Sequence, residues 1–252
     1  MEEEMIIGKN PLLTALRAGR PIHKIMVSDQ LQAQAASEIQ SAAKKRKAVI
    51  QRVPRKKLDQ LSAGKHQGVI AFVSAYTYQS VDDILNRAEE KAELPFVLIL
   101  DELEDPHNLG AILRTADASG AHGVIIPKHR AVGLTETVAK ASAGAIEHVP
   151  VARVTNIAKT IDRLKEEQIW VVGTDETGTE DYRTLDGQTA LALVIGNEGK
   201  GISRLVKDKC DWLVQLPMVG SISSLNASVA AGLLMYEVHR KRKPLGDSSW
   251  MY

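Results

Sequence analysis

The chain has 252 residues, of which 44% are hydrophobic and 25% charged, with a formal net charge of +1. This composition predicts a soluble globular protein of one large or two ordinary domains, and the near-zero charge gives no global signature of nucleic-acid binding. Cys210 is the only cysteine, which excludes an internal disulfide and argues against a cysteine-based zinc site, so we predict no metal. The acidic start MEEEM has no signal-peptide pattern, and no apolar run approaches the roughly 20 residues that cross a bilayer, so we expect a cytoplasmic protein without a membrane partner.

Residues 1–76 are expected to form a small α/β domain. Asn10 and Pro11 predict a helix start, because asparagine caps a helix and proline loses no needed hydrogen bond at the first helical position. That helix is expected to stop at Gly19, and HQG (66–68) is expected to be a plain turn. The pattern further predicts helices over about 30–45 and 54–61, and strands over 24–28, 49–53 and 68–76.

Charge is distributed unevenly within this domain. Between Ile39 and Leu58 there is no acidic residue, whereas eight basic residues occur: Lys44, Lys45, Arg46, Lys47, Arg52, Arg55, Lys56 and Lys57. Like charges at this density repel one another, and a polyanion relieves the repulsion. A solvated face is the alternative explanation, but we favour a surface that binds a phosphate backbone.

Residues 77–94 are polar and are expected to link two domains. Val81, Ile84, Leu85 and Ala88 recur at helical spacing within them, which predicts a short amphipathic helix in the linker.

From residue 95 to 244 predicted strands and helices alternate, and 245–252 are expected to be a flexible tail. The strands are FVLIL, VIIP, EHVPVARV, IWVVGT, ALALVIG and WLVQLP, and the helices are LGAILRTADAS, LTETVAKASAGA, IAKTIDRLKEEQ, GISRLVKDKC and SLNASVAAGLLMYEVHRKRK. Such alternation predicts a largely parallel sheet with helices on both faces.

Three apolar runs in this region end in polar residues that a core would not select. The loops that follow them carry Asn108 and Arg114, then Gly196, Glu198 and Gly199, then Ser224 and Asn226. Function collects at the carboxyl ends of parallel strands, so these loops predict a ligand site.

Common nucleotide patterns do not describe this site. The chain has GNEGKG where a dinucleotide site needs G-x-G-x-x-G, and Val194 stands where a P-loop needs its first glycine. The glycine loop, LPM (216–218) and IWVVGTD (169–175) instead offer backbone and small side chains, which suit a flat adenine and ribose.

The segments NLGAILRTA, IGNEGKG and LPM…SSLNASVA resemble the three motifs of the SpoU/TrmH group of SPOUT methyltransferases, over about residues 95–240. The preceding basic domain is similar to the RNA-binding substrate domain of the bacterial 23S rRNA guanosine 2′-O-methyltransferases, whose fold is similar to that of a ribosomal protein. This resemblance implies a homodimer that binds S-adenosylmethionine within a deep trefoil knot and methylates a ribose 2′-hydroxyl. The target it implies is a guanosine in the P-site loop of 23S rRNA. A tRNA or another rRNA loop is the near alternative, and a non-catalytic RNA-binding ribosome-assembly protein is the alternative of another class.

The resemblance also assigns site residues by position. The cofactor pocket falls on Thr174, Gly196, Gly199, Leu216, Met218 and Leu225. The catalytic set falls on Asn108, Arg114, Glu198, Ser224 and Asn226.

Each member of the catalytic set also has a plain structural alternative. Arg114 is expected to stabilise a developing alkoxide and to grip a phosphate, whereas otherwise it would pair with Asp105 or Glu104. Glu198 is expected to orient Arg114, or else to cap the helix that starts near Gly199. The alternative for Asn108, Ser224 and Asn226 is helix capping.

Overall fold

The computed structural model describes residues 5–17, 21–45, 48–62, 66–73, 76–221 and 223–243. The chain divides into two compact units: Met1–Thr77 with Gly133–Glu136, here called the N-terminal unit, and Tyr78–Val132 with Thr137–Tyr252, here called the C-terminal unit. The expected tail, 245–252, lies outside the described residues, as does Gly19. The linker bounds 77–94 remain a prediction.

The N-terminal unit holds a four-stranded sheet in the order β1-β4-β2-β3, in which β2 and β3 are parallel and β4 is antiparallel to its neighbours. Its strands are β1 Met5–Ile7, β2 Ile22–Ser28, β3 Ile50–Val53 and β4 Val69–Val73, and its helices are α1 Lys9–Arg17, α2 Ala33–Lys45 and α3 Arg55–Leu61.

Helices cover both faces of this sheet. Leu16 of α1 and Ile39 of α2 pack with Ile25 of β2 on one face. Leu58 of α3 packs with Met26 of β2 on the other. Each helix therefore contributes its apolar stripe to a core, and the charged residues between the stripes remain outside.

The predicted start of α1 is wrong. The helix begins at Lys9, because Gly8, with φ 98°, turns the chain and its carbonyl oxygen accepts the amide hydrogen of Leu12 at 3.3 Å. Pro11 therefore occupies the third helical position rather than the first. The three-residue β1 was missed because it is too short to show a period.

The predicted HQG turn is confirmed, and its histidine is structural. Gln67 and Gly68 have φ values of 50° and 77°. His66 is buried, its Nδ1 accepts the amide hydrogen of Gly68 at 2.9 Å, and its Nε2 lies 2.8 Å from Oδ1 of Asp59.

The C-terminal unit holds a seven-stranded sheet in the order β7-β6-β5-β10-β8-β11-β9, and all its strand pairs are parallel, as predicted. Its strands are β5 Phe96–Leu100, β6 Gly123–Pro127, β7 Val151–Val154, β8 Trp170–Thr174, β9 Glu180–Asp181, β10 Leu191–Ile195 and β11 Trp212–Gln215. Its helices are α4 Val81–Glu90, α5 Pro106–Ser119, α6 Glu136–Ala141, α7 Ile157–Glu166, α8 Arg204–Lys207 and α9 Ala227–Arg242, with 3-10 turns at Ala145–Glu147 and Tyr182–Thr184. Within the described residues, no helix is long and apolar enough to cross a membrane.

Burial explains why the central strands are apolar throughout. All five residues of β5 and all five of β10 are buried, as expected for parallel strands covered on both faces. The helix predicted around Ile84 is also present, as α4, and it packs into this core. Gly123 makes room for it, because a Cβ at that position would lie 2.5 Å from Cγ1 of Ile84.

Several predicted helix ends need correction. The N-cap of α5 is Asp105, followed by Pro106, so Asn108 lies inside the first turn rather than capping it. The helix closes at Gly120, with φ 79°, as predicted. The helix predicted over 201–210 shrinks to the four residues of α8, and the last helix starts at Ala227 instead of Ser224.

Strand order decides where a ligand site can form. Strand β10 lies between β5 and β8, and β11 lies between β8 and β9, so late strands insert among earlier ones. The loops that leave β5, β8, β10 and β11 consequently meet at one edge of the sheet, here called the carboxyl edge.

Candidate active site

A cavity of about 440 Å³ opens at the carboxyl edge, beside the ends of β8, β10 and β11. Its lining includes all six residues predicted for the cofactor: Thr174, Gly196, Gly199, Leu216, Met218 and Leu225. Glu198 and Ser224 of the predicted catalytic set line it as well. The volume lies within the range usual for small-molecule sites.

The glycine loop forms the tightest wall of this cavity. The amide of Asn197 donates to the carbonyl oxygen of Gly201 at 3.0 Å, and the amide of Gly201 donates back at 2.8 Å. A Cβ on Gly196 would lie 2.2 Å from the carbonyl carbon of Gly201, and Gly201 itself has φ 66°. Both positions therefore require glycine, and the result is bare backbone facing a ligand.

Three distant segments meet in one hydrogen-bonded cluster around Glu198. Asn108 donates its amide hydrogen to Oε1 of Glu198 at 2.9 Å, and Asn226 donates to Oδ1 of Asn108 at 3.0 Å. Asn226 also donates to Oε1 of Glu198, which accepts the backbone amide of Ala227 at 3.1 Å in addition. The cluster thus joins α5, the glycine loop and the start of α9.

Asn226 has a second task that fixes its orientation. Its Oδ1 accepts the backbone amides of Ser228 at 3.0 Å and Val229 at 3.3 Å, so it is the N-cap of α9, as one alternative predicted. Because the oxygen faces the helix, the amide nitrogen faces Glu198. Ser224 does not cap the helix and lies exposed at the cavity.

The expected partnership of Glu198 with Arg114 is not present. Glu198 contacts the asparagines and the start of α9, so it caps a different helix from the one expected. Arg114 is exposed on α5 and has no hydrogen bond or ion pair with any residue that the structure describes, neither Asp105 nor Glu104. Its guanidinium is therefore available to a substrate.

Two carboxylates near the site were missed at the sequence level. Asp101 follows β5, is 4% exposed, and its Oδ2 accepts the amide of Ser203 at 2.8 Å. It ties the end of β5 to Ser203, two residues after the glycine loop. A buried carboxylate directly after FVLIL was the available signal.

Asp175 lines the cavity and is held by Lys207, with 2.7 Å between Oδ1 and Nζ. Burial favours its neutral form, but hydrogen bonds from Lys207 and Thr177 outweigh burial and hold the pKa of Asp175 below its ordinary value. A negative charge is thus built into the wall of the cavity. Among the described residues, no group of three or more His, Cys, Asp or Glu side chains could hold a metal ion.

Comparison with known proteins places these features in a family. Residues 95–236 match the model of the SpoU rRNA methylase family, and residues 5–79 match the model described as RNA 2′-O ribose methyltransferase substrate binding. The chain belongs to the SpoU rRNA methylase family. The predicted family is therefore confirmed, together with a substrate-binding domain at the front.

Named relatives agree with this assignment. YacO of Bacillus subtilis, whose name places it provisionally in the TrmH family of tRNA/rRNA methyltransferases, is 60% identical over 98% of this chain and 99% of its own length. A relative from Staphylococcus aureus with the same family name is 55% identical over 98% of this chain and 100% of its own length.

Solved structures of SpoU enzymes share the fold. AviRb of Streptomyces viridochromogenes, in complex with AdoMet, has a TM-score of 0.61 and 28% identity over 94% of this chain and 90% of its own. An AdoMet-bound rRNA methyltransferase of Sinorhizobium meliloti has a TM-score of 0.55 and 25% identity over 94% of this chain and 86% of its own. Methyltransferases of this family use S-adenosylmethionine, as predicted. The cavity fits that group, since it combines bare glycine backbone, apolar Leu216 and Met218, and the carboxylate of Asp175.

Proposed function

We propose that this enzyme transfers a methyl group from S-adenosylmethionine to the ribose 2′-hydroxyl of a guanosine in the P-site loop of 23S rRNA, in the cytoplasm. The observation that carries the reaction type is the Asn108–Glu198–Asn226 cluster beside the cavity. The choice of target rests on the resemblance of the N-terminal unit to rRNA substrate domains. The family's deep trefoil knot is part of the proposal.

The residues that would hold the donor are the six predicted for the cofactor: Thr174, Gly196, Gly199, Leu216, Met218 and Leu225. When bound, S-adenosylmethionine supplies an electrophilic methyl group on a sulfonium. The cluster around Glu198 joins α5 to the glycine loop, so it keeps the acceptor side and the donor side of the site in register. Alignment of this kind can supply several kcal/mol of a displacement barrier, roughly 7–11 in favourable cases.

Arg114 is proposed to act on the acceptor. A guanidinium stays protonated and has five N–H donors, so it is suited to stabilise negative charge on the 2′-oxygen and to grip a neighbouring phosphate. Its exposure, without a partner among the described residues, supports this role. Ser224, exposed at the cavity, is proposed to contact donor or ribose.

The basic surface of the N-terminal unit is proposed to dock the RNA backbone. Lys44, Lys45, Arg52, Arg55, Lys56 and Lys57 are exposed and have no partner within the described part of the chain; Arg46 and Lys47 lie outside that part. The acidic residues that flank the run are engaged elsewhere. Glu38 pairs with Lys9 at 2.8 Å and Asp59 with His66 at 2.8 Å, so the cations remain free for phosphates.

A homodimer through α9 is also proposed. Val229, Leu233 and Tyr236 recur at helical spacing on this helix and are 51%, 42% and 51% exposed. An apolar stripe of this kind marks a contact surface, and the resemblance implies that a second copy of this chain packs against it. We expect Leu233→Glu to convert a dimer to a monomer in sedimentation analysis, whereas Lys159→Glu, on α7, should leave the mass unchanged.

The test of the function is transfer of radiolabelled methyl from S-adenosylmethionine to unmodified 23S rRNA, with tRNA as a parallel substrate. We expect labelling of 23S rRNA at one guanosine, and loss of labelling in Arg114→Ala with an unchanged melting temperature. Labelling of tRNA instead would replace the target. Cofactor binding without transfer to any rRNA or tRNA would favour a non-catalytic ribosome-assembly protein.

A further inference from the structure

A basic turn, Lys128–Arg130, follows β6 at the carboxyl edge of the sheet and has no part in the roles assigned above. His129 and Arg130 are exposed, and the Arg130 side chain is 75% exposed. The turn is anchored at its start, because the amide of Lys128 donates to the carbonyl oxygen of Val154 at 2.8 Å. It therefore presents the Arg130 guanidinium from a fixed backbone.

Two strained residues hold this turn against the loop after β5. Arg130 and Glu102 are both left-handed, with φ values of 55° and 56°, a backbone conformation that is unfavourable for a non-glycine residue. Their side chains are joined by an ion pair of 2.8 Å, and the amide of Val132 donates to the carbonyl oxygen of Leu103 at 2.9 Å. Strain kept by mutual contacts is typical of functional turns.

The same contacts lead directly to the active site. The carbonyl oxygen of Glu102 accepts the side-chain amide of Asn197 at 3.2 Å, and Asn197 precedes Glu198. Strands β6, β5 and β10 are neighbours in the sheet. At about 4.8 Å between strands, the basic turn lies on the order of 10 Å from the glycine loop.

Most carboxylates of the intervening loop already have hydrogen-bond partners. Asp101 accepts the amide of Ser203, Asp105 accepts the amide of His107 at 2.9 Å, and Glu102 is paired with Arg130. The hydrogen bond with Glu102 and, to a smaller extent, the charge of exposed Glu104 raise the pKa of Arg130, so the guanidinium stays charged.

We propose that Lys128–Arg130 binds backbone phosphates of the substrate RNA next to the methylated nucleotide. The C-terminal unit then has an RNA contact of its own, separate from the basic surface of the N-terminal unit. Arg130 keeps N–H donors beyond the one given to Glu102, and a guanidinium fork matches a phosphate. This inference rests on the proposed function, since it assumes an RNA substrate.

The test measures equilibrium binding of the unmodified 23S rRNA transcript between 50 and 200 mM salt, without a methyl donor. Arg130→Asn removes the charge, and asparagine tolerates the left-handed backbone, so the turn is retained. We expect the slope of log K against log salt to fall by about 1 and affinity at low salt to fall about tenfold. Arg130→Lys should restore most of the slope.

The matched control is Arg240→Asn. Arg240 is 67% exposed and pairs with Glu237 at 2.8 Å, but it lies at the far end of α9. Its removal should leave the slope unchanged. Melting temperature and binding of S-adenosylhomocysteine should match the wild type in both variants.

An unchanged slope in Arg130→Asn, with methyl transfer intact in the wild type, overturns this inference and leaves the proposed function standing. A fall in melting temperature and cofactor binding that accounts for the lost affinity would make the turn structural, which also overturns it. A wild-type protein that binds the transcript but transfers no methyl group removes the proposed function and leaves the phosphate contact intact.

Discussion

The two ends of α9 are both held by dense hydrogen bonding, yet the partners differ in kind. At the first end, Asn226 binds Glu198, side chain to side chain, beside an open cavity. At the last end, the guanidinium of Arg242 donates only to backbone, at 2.7–3.1 Å, and stacks over the ring of Phe96. Its four acceptors are the carbonyl oxygens of Leu94, Pro95, Gly187 and Thr189.

The Asn226 end of α9 therefore contributes to the candidate active site, whereas the Arg242 end stabilises the fold. The acceptors of Arg242 lie in the segments that lead into β5 and β10, so Arg242 fastens the helix beside the amino ends of the two central strands. Burial disfavours the charged form and lowers the pKa of Arg242, and its hydrogen bonds to four carbonyl oxygens offset part of that cost. The Asn226 end instead leaves a carboxylate at the cavity, where a substrate can use it.

A serine substitution at Asn226 can separate the capping role of this residue from its hydrogen bond to Glu198. Asn226→Ser keeps a capping oxygen for Ser228 but removes the donor to Glu198. We expect single-turnover methyl transfer to fall about 10²-fold, with unfolding free energy within about 0.5 kcal/mol of the wild type.

Asn226→Ala is the companion variant. It removes the cap as well, so we expect the same loss of transfer together with about 1 kcal/mol of stability. If the serine variant kept full activity, the cluster would be a capping arrangement only.

The opposite end should show the opposite pattern. Arg242→Met leaves four carbonyls without their donor, and we expect the free energy of unfolding to fall by about 2–4 kcal/mol in urea denaturation. The transfer rate of the folded fraction should be retained. Arg240→Ala, which removes a nearby surface arginine, should cost less than about 1 kcal/mol. An equal fall in the free energy of unfolding of the two variants would contradict a stabilising role that is specific to Arg242.

A pH dependence of stability should arise near the Arg242 end. His122 is fully buried, its Nδ1 accepts the amide of Phe96 at 3.0 Å, and burial lowers its pKa below the ordinary 6.5. The unfolded chain therefore binds the extra proton more readily, so this contribution is complete above pH 6.5 and is lost as pH falls. We expect urea midpoints to decline from pH 7 to 5, and less steeply in His122→Gln. Parallel slopes would assign the decline to other groups.

The smallest expected effect concerns the single thiol. Burial raises the pKa of Cys210 to about 12, so the folded protein should not react with a disulfide reagent at pH 8. Reaction in urea should follow unfolding measured by circular dichroism. Rapid labelling of the native protein would contradict the burial.

Sequence patterns located the parallel sheet and its loops because its central strands, FVLIL and LALVI, are continuous apolar runs. All six residues predicted for the cofactor line one cavity, although that prediction came from the resemblance to the family's motifs rather than from periodicity. The pair Asp105-Pro106 is a helix-start pattern, because aspartate caps a helix and proline suits the first helical position. The cap was predicted at Asn108 instead, which lies inside the first turn.

Other features could not be predicted from local patterns. The partners of Glu198 lie 90 and 28 residues away along the chain, and only strand order brings them together. The two-residue β9 is too short for a period to appear. The left-handed Arg130 and Glu102 carry no glycine or asparagine signal, so their strain appears only in three dimensions.

Strand order also has a consequence for biosynthesis. Strand β5 is complete at residue 100, but its neighbour β10 begins at residue 191. One edge of β5 therefore stays without its pairing strand until about ninety further residues have been synthesised. Until then a fully apolar strand has an unpaired edge, which is a template for wrong pairing. The proposed catalytic centre therefore forms only after Asn226 and Ala227 have been synthesised, and a nascent chain released before β10 would expose this apolar strand edge.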